Sequence, residues 1–399
     1  MSLLQTANPP TGEPSFFSVV GPVISVVFIG FLIVGFAMPV LPLHVHDGLG
    51  MSSFVVGLVA GSQFVASLLS RVVAGQFSDS RGPKRAVAIG LIGAAFSGGL
   101  YLLSLAFRET PVMSVGVLLV GRALLGAAES FIITGALGWG FGLAGVTHTG
   151  KVIAWVGSAM FAAFAVGAPM GNVLYASFGF FGVAVATLAM PLATLVMLTR
   201  APTVPARQAK KASASRVLSS TLLPGAGLAA SSLGFGAITA FVSLLYMHNG
   251  WGAGWQAFSA FAVALILMRA LFGHLPDKLG GPKVAMVSIL IEGAGQLLLW
   301  MASSATVALL GAALTGLGYA LVYPAFGTEV VRKAPPDSKG LAMGSYTACL
   351  DLTLGVGSPL LGVVGGHAGL PSVFLVSAGA AVVGAGIALW MAARTAPAR

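Results

Sequence analysis

The sequence predicts an all-α membrane protein whose twelve transmembrane helices form two pseudo-symmetric halves of six. Composition is the first observation behind that prediction. Of the 399 residues 57% are hydrophobic and only 8% are charged, and the mean hydropathy is +0.97. A soluble domain carries roughly 25% charged residues and needs them to face water. Length is the second observation, because apolar runs recur that reach the roughly 20 residues a helix needs to cross the hydrocarbon. The third is an internal echo: "AGQFSDSRGPKR" (74–85) is answered by "FGHLPDKLGGPK" (272–283).

Spans are read at about 17–41, 53–74, 86–106, 112–138, 152–174, 180–199, 221–246, 254–273, 284–303, 306–328, 341–363 and 371–392. The 55 glycines and 21 prolines fit such spans rather than disorder, since both residues are frequent in membrane helices and glycine lets their backbones approach. Of the 20 Lys and Arg residues, nearly all fall in the loops on the N-terminal side of the spans. Only Arg108 falls in a loop on the other side, and Arg71, Arg122 and Arg269 lie within spans. The positive-inside rule then places both termini in the cytoplasm of a bacterial inner membrane. The net charge of +10 is thus read as orientation, not as a nucleic-acid surface. Residues 1–15 are polar and are expected to be a short cytoplasmic tail without a secretory signal. A single cysteine, Cys349, excludes an intramolecular disulfide framework.

The stretch 199–220, rich in Lys, Arg, Ala, Ser and Pro, reads as a flexible linker between bundles 1–198 and 221–399. The bundles echo each other beyond the opening motif. "HDGLG" (46–50) matches "HNGWG" (248–252), Arg71 and Arg269 each lie four residues before a glycine, and "VGAPMG" (166–171) matches "VGSPLLG" (356–362). Six spans, a linker and six matching spans is a parallel-repeat transporter architecture. Within the repeated turn, Gly75 and Gly82 permit close packing and tight backbone angles. Asp79 is placed to cap a helix N-terminus or bind an arginine.

With these residues the chain resembles the major facilitator superfamily over essentially its whole length. Gly75, Asp79 and Gly82 followed by basic residues look like the superfamily's signature between spans two and three. "GRALLGAA" (121–128), with Arg122 and Gly126, resembles the motif of span four. "GAPMG" resembles the Gly-Pro motif of exporters in span five, departing from it at Ala168. Other segments look like a bacterial arabinose-efflux-permease-like and drug-exporter subgroup. The resemblance implies a cytoplasmic gate at Gly75, Asp79 and Arg85, and at Gly273, Asp277 and Lys283 in the second copy. That copy inserts one residue before its lysine.

Ionisable groups inside the hydrocarbon cost roughly 2.5–3.5 kcal/mol on insertion scales, so each is a functional candidate. Arg122 and Glu129 lie seven residues apart, about two turns, on one face of span four, with Gly126 leaving room for a cavity or a partner helix. Arginine keeps its charge while Glu129 can exchange a proton, so the two suggest a coupling element or a structural ion pair. Aligning Pro169 with Pro359 sets Asp351 opposite Phe161, so this charge breaks the repeat. Glu129 and Asp351 are the leading proton-coupling candidates, and Glu292, one turn before Gln296, is a third with a packing alternative. Arg71 and Arg269, at matching repeat positions, are expected to snorkel to the interface and share a gate role rather than read substrate. Gln63, Trp155, Tyr319 and Tyr346 are candidate cavity residues beside Arg122, whereas Tyr101 is expected in an interfacial belt. Pro169 and Pro359 with Gly167 and Gly357 are candidate hinges. His44 and His46 are expected along a periplasmic turn, without the carboxylates of a metal site.

The reading is a monomeric secondary transporter, not an enzyme, needing no cofactor or metal. It is expected to export a small organic solute in exchange for protons by alternating access. Proton-coupled import is the alternative, and a non-transporting membrane receptor a remote one.

Overall fold

A computed structural model describes residues 16–145, 148–206, 214–252, 254–334 and 339–395. Among the described residues there are only helices and the turns between them. They are α1 (Phe16–Leu43), α2 (Ser53–Arg81), α3 (Pro83–Leu105), α4 (Pro111–Ala144), α5 (Thr149–Thr199) and α6 (Ala214–His248). Then follow α7 (Trp255–Phe272), the short α8 (Leu275–Leu279), α9 (Gly281–Trp300), α10 (Ala305–Lys333), α11 (Lys339–Ala368) and α12 (Pro371–Thr395). Eleven of them are long and apolar enough to cross a membrane. The twelfth span is inside α5, whose 51 residues would extend about 76 Å as one rod, more than twice the ~30 Å hydrocarbon. Gly179 divides it with φ 63° and ψ −160°, a backbone state that costs a side-chain-bearing residue strain.

Local chemistry explains most helix ends. Proline opens α3 and α4 and stands second in α9, where no intrahelical partner is lost. The repeated turn is repeated in conformation too. Gly82 (φ 99°) ends α2 and starts α3, and Gly280 (φ 89°) does the same for α8 and α9. The Gly82 amide donates to the Ser78 carbonyl at 3.0 Å, and the Gly280 amide to Pro276 at 3.1 Å. Ser78 and Pro276 are equivalent positions, and the proline has a structural consequence. Its ring clashes with the carbonyl four residues earlier, so α7 stops at Phe272 and Asp277 sits on the separate α8, whereas α2 runs unbroken through Asp79. Gly82→Ala is expected to lower stability by about 1–2 kcal/mol, the cost of a left-handed backbone with a Cβ. Thermal unfolding of the purified protein checks this.

Each half is a bundle sealed by glycine. In the first, α5 lies on α1, where a Cβ on Gly167 would meet Gly35 Cα at 2.9 Å, and α3 lies on α4, where a Cβ on Gly90 would meet Ala128 O at 2.7 Å. In the second, α9 packs on α10 and α12, and α7 on α10. Between the halves, α2 packs along α11, α5 along α7, and α1 against α6. The α2–α11 seam is tightest towards the end that carries Ser53 and Gly362. There a Cβ on Gly57 would stand 2.9 Å from Pro359 Cα, and one on Gly362 2.9 Å from Phe54 Cα. Van der Waals approach and small residues are what hold membrane helices together without a hydrophobic force between them. Outer faces are apolar: Phe96 on α3, Leu290 on α9 and Val382 and Val383 on α12 are exposed.

Several expectations change here. The helices continue through Pro169 and Pro359, and the glycines of these segments also serve as packing seams, Gly167 against Gly35 and Gly362 against Phe54. Gly75 has open space around its missing side chain, so close packing does not explain it. The linker begins bound, not free: Trp139 Nε1 donates to the Pro202 carbonyl at 3.0 Å, and α6 already starts at Ala214. Residues 1–15 and 207–213 of the expected tail and linker lie outside the described residues. His44 belongs to a wider π-type turn after α1 and is buried, its ring stacked on Phe180 at 4.1 Å. His46 Nδ1 lies 2.7 Å from the Met51 carbonyl.

Candidate substrate and proton-coupling site

The site is built along one face of α2. Gln63, Ser67 and Arg71 follow at four-residue spacing, one above the other on a helix. Gln63 Nε2 donates to Glu129 Oε2 of α4 at 2.5 Å. About two turns on, the Arg71 guanidinium donates to the Asp351 carboxylate of α11 and to Ser67 Oγ at 3.4 Å. A single helix face thus holds one carboxylate of its own half by a neutral amide and one of the other half by an ion pair. The Arg71 side chain is 21% exposed and that of Asp351 only 5%. Glu129 lies within electrostatic reach of Arg71, Asp351 and Arg122.

Arg122 and Glu129 do not pair. Gly126 stands midway between them, and a Cβ there would run into the Gln63 backbone, 2.9 Å from its Cα. The space left by Gly126 is therefore filled by α2, which comes between the two side chains and takes Glu129 for itself. Arg122 is buried, with Nη1 3.4 Å from the Tyr101 hydroxyl. It also borders a void of about 20 Å³ lined by Met38, Val56, Phe64 and Thr239, room for about one water. Tyr101 is fully buried and so belongs to this cluster rather than to an interfacial belt. Nothing in its sequence context signals that.

Arg71 and Arg269 do not snorkel. Both reach across to the opposite half, and the repeat gives them matching jobs with different partners. Arg71 binds Asp351, while the Arg269 guanidinium lies 5.0 Å from the centroid of the Phe161 ring, the residue that the repeat sets opposite Asp351. Arg269 also donates through Nη2 and Nε to the Ala320 carbonyl at 3.1 and 3.3 Å. One junction between halves is an ion pair and the other a cation–π contact. Only the first can be switched by a proton.

Glu292 stands apart. It is fully buried inside the second half and accepts from Ser231 of α6, with Gln296 donating to Gly234 O and Thr315 Oγ1, both at 3.3 Å. These partners tie α6, α9 and α10 together, the arrangement expected of the packing alternative. Glu292→Gln keeps the acceptor for Ser231 and is expected to leave transport within about twofold of wild type, because a neutral amide is no worse buried than a carboxyl. Uptake or efflux assays on that variant check it.

The aromatic candidates have these surroundings. Tyr319 stacks on Phe235 at 5.4 Å with its hydroxyl 3.2 Å from Ser232 Oγ. Tyr346 donates to the Tyr323 carbonyl at 2.9 Å. Trp155 is exposed and edge-on to Phe17 at 4.9 Å, outside the charged cluster. At the basic end Asp79, Arg85, Asp277 and Lys283 are all exposed. Among the described residues none of them forms an ion pair. Glu329 pairs with Arg332 at 2.5 Å.

Comparison with known proteins agrees with this architecture. The family model of the Major Facilitator Superfamily matches residues 23–252 and 225–399. An MFS-type transporter of Burkholderia mallei (strain SAVP1) is 42% identical over 367 residues, 91% of this chain and 89% of its own length. One of Salmonella typhimurium (strain LT2) is 39% identical over 360 residues, 90% and 93% of the two chains. Among solved structures, the xylose transporter XylE from E. coli in an inward open conformation superposes with a TM-score of 0.76 at 13% identity, over 94% of this chain and 96% of that one. A bacterial homolog of the human lysosomal transporter Spinster, inward-facing and unoccupied, gives 0.74 at 14% identity over 97% and 100%. The chain belongs to the major facilitator superfamily of multi-pass membrane transporters.

Proposed function

We propose that this transporter exports a small organic solute across the bacterial inner membrane in exchange for protons, with both termini in the cytoplasm. Glu129 is the proton carrier, Arg71 and Asp351 form a latch between the halves, and Asp79, Arg85, Asp277 and Lys283 supply the charges of the cytoplasmic gate. The observation that carries the reading is the contrast between the two carboxylates. Glu129 is held by a neutral amide and exchanges a proton without breaking an ion pair. Asp351 is neutralised by Arg71, so protonating it releases a contact that ties the halves together. A permanent cation between two titratable carboxylates links proton occupancy to the packing of α2 on α11, which is what alternating access requires.

The exposed gate charges and the sealed Gly57–Pro359 end support a cytoplasm-facing state. Export, as opposed to the alternative of proton-coupled import, rests on the Gly-Pro segment of span five. Arg122, which borders the void beside Met38 and Thr239, is the candidate substrate contact.

The test uses inverted membrane vesicles, acidified inside, challenged with a panel of sugars, drugs, amino-acid derivatives and metal chelators. Alkalinisation of the lumen by one compound is the expected result. A compound that instead moves only in right-side-out vesicles, together with protons, would replace export by import.

A further inference from the structure

At the basic end a cavity of about 800 Å³ opens between the α2–α3 turn, the end of α5 and the residues that follow it. Arg81, Lys84 and Arg85 line one side, Leu195, Leu198 and Val204 the other, and no acid among the described residues lines it. Lys84 Nζ donates to the Ala201 carbonyl at 2.5 Å and to Thr199 at 3.4 Å, closing the end of α5 and holding its charge at the cavity. Arg81 and Arg85 are exposed and form no ion pair among the described residues. The wall opposite them is fixed. Pro202 is bonded to Trp139, and Val204 fills the space beside Gly142, where a Cβ would stand 3.0 Å from Val204 Cγ2.

A second, separate observation concerns the surface next to the cavity. Along α3, Ile89, Ile92 and Phe96 are exposed at helical spacing, and along the second half of α5 so are Leu192 and Val196. Ile89 is one turn beyond Arg85, so the apolar strip begins where the charge ends and runs into the bilayer. Deeper in, α3 and α5 close on each other at Gly98, where a Cβ would meet Leu188 Cα at 2.6 Å. The basic cavity thus adjoins two helices that present apolar side chains outward and that pack on each other deeper in.

We propose that this cavity seats the phosphate of an anionic glycerophospholipid, with Arg81 and Arg85 as its ligands and the α3–α5 strip under its acyl chains. Guanidinium groups bind phosphate oxygens in a planar fork, and the α3 N-terminus adds unpaired amides that favour an anion. Basic pockets at the cytoplasmic ends of membrane helices suit such headgroups. A free phosphate would use the arginines alone and gain nothing from the strip.

The full-length protein, purified in an uncharged detergent, is titrated with phosphatidylglycerol, with phosphatidylcholine of the same chains, and with glycerol phosphate. Retained lipid is read by native mass spectrometry, and thermal unfolding is read alongside. Phosphatidylglycerol is expected to bind well above the other two, and to weaken about fivefold for each arginine lost in Arg81→Ala and Arg85→Ala. Arg81→Lys with Arg85→Lys should retain most of the binding, and Ile92→Ser with Phe96→Ser should weaken it with the arginines intact. The last two variants decide the matter if the alanine variants do not fold. Equal binding of both lipids, or unchanged binding in every variant, overturns the proposal. Glycerol phosphate binding as tightly as phosphatidylglycerol makes the cavity a soluble-phosphate site and overturns it too.

Discussion

Glu129→Gln is expected to uncouple transport from the proton gradient while leaving solute exchange intact. A pH difference of two units across the membrane is worth ~1.4 kcal/mol per unit for each proton. One proton per molecule therefore drives a neutral solute about 100-fold uphill. Glutamine keeps the size of the side chain and an oxygen for Gln63, so the α2–α4 contact survives. What it cannot do is carry the proton. The variant should let solute equilibrate between two compartments at near wild-type rate and lose the roughly 100-fold accumulation. Radiolabelled exchange and gradient-driven transport, measured in the same vesicles, separate these outcomes. Retained accumulation would move the proton to Asp351.

Arg71→Met should cost more stability than removing both charges. The single change leaves Asp351 buried without its cation, and breaking such a pair costs about 3–5 kcal/mol. The lower end applies, because the Arg71 side chain is 21% exposed and water screens the loss. Arg71→Met combined with Asp351→Leu replaces the pair by apolar groups, which is often neutral, so the double variant should recover most of the stability. Transport should not return, since the latch is gone. Unfolding temperatures of the two single variants and the double one test the first part, and transport in the double variant the second. Recovery of coupled transport in the double variant would show that the ion pair is only scaffold.

Much of this architecture is legible in the chain. Apolar length gives the spans, the duplicated turn gives the two halves, and the rarity of intramembrane charge points to Glu129, Asp351, Arg71, Arg122 and Arg269. Which charge meets which is not legible, because it depends on helices distant in sequence. Spacing on α4 alone suggests an Arg122–Glu129 pair, yet α2 settles at Gly126 and separates them. The same limit applies to Arg71 and Arg269. Four residues from a loop glycine they look like snorkelling side chains, but each lies beside the other half, where a partner costs less than the reach to water. By contrast the break before α8 follows from Pro276, a local cause that can be read directly. For Glu292 the sequence shows Gln296 one turn on, but its serine and threonine neighbours come from α6 and α10 and become visible only when those helices are packed.

Solute binding is expected to release the proton that Glu129 carries. This is tested most directly by counting protons released into weakly buffered detergent solution when the purified protein binds the first compound that evokes lumen alkalinisation. About one proton per bound molecule is expected for wild type and about none for Glu129→Gln, as linkage between the two occupancies requires. Equal release by both proteins would contradict it.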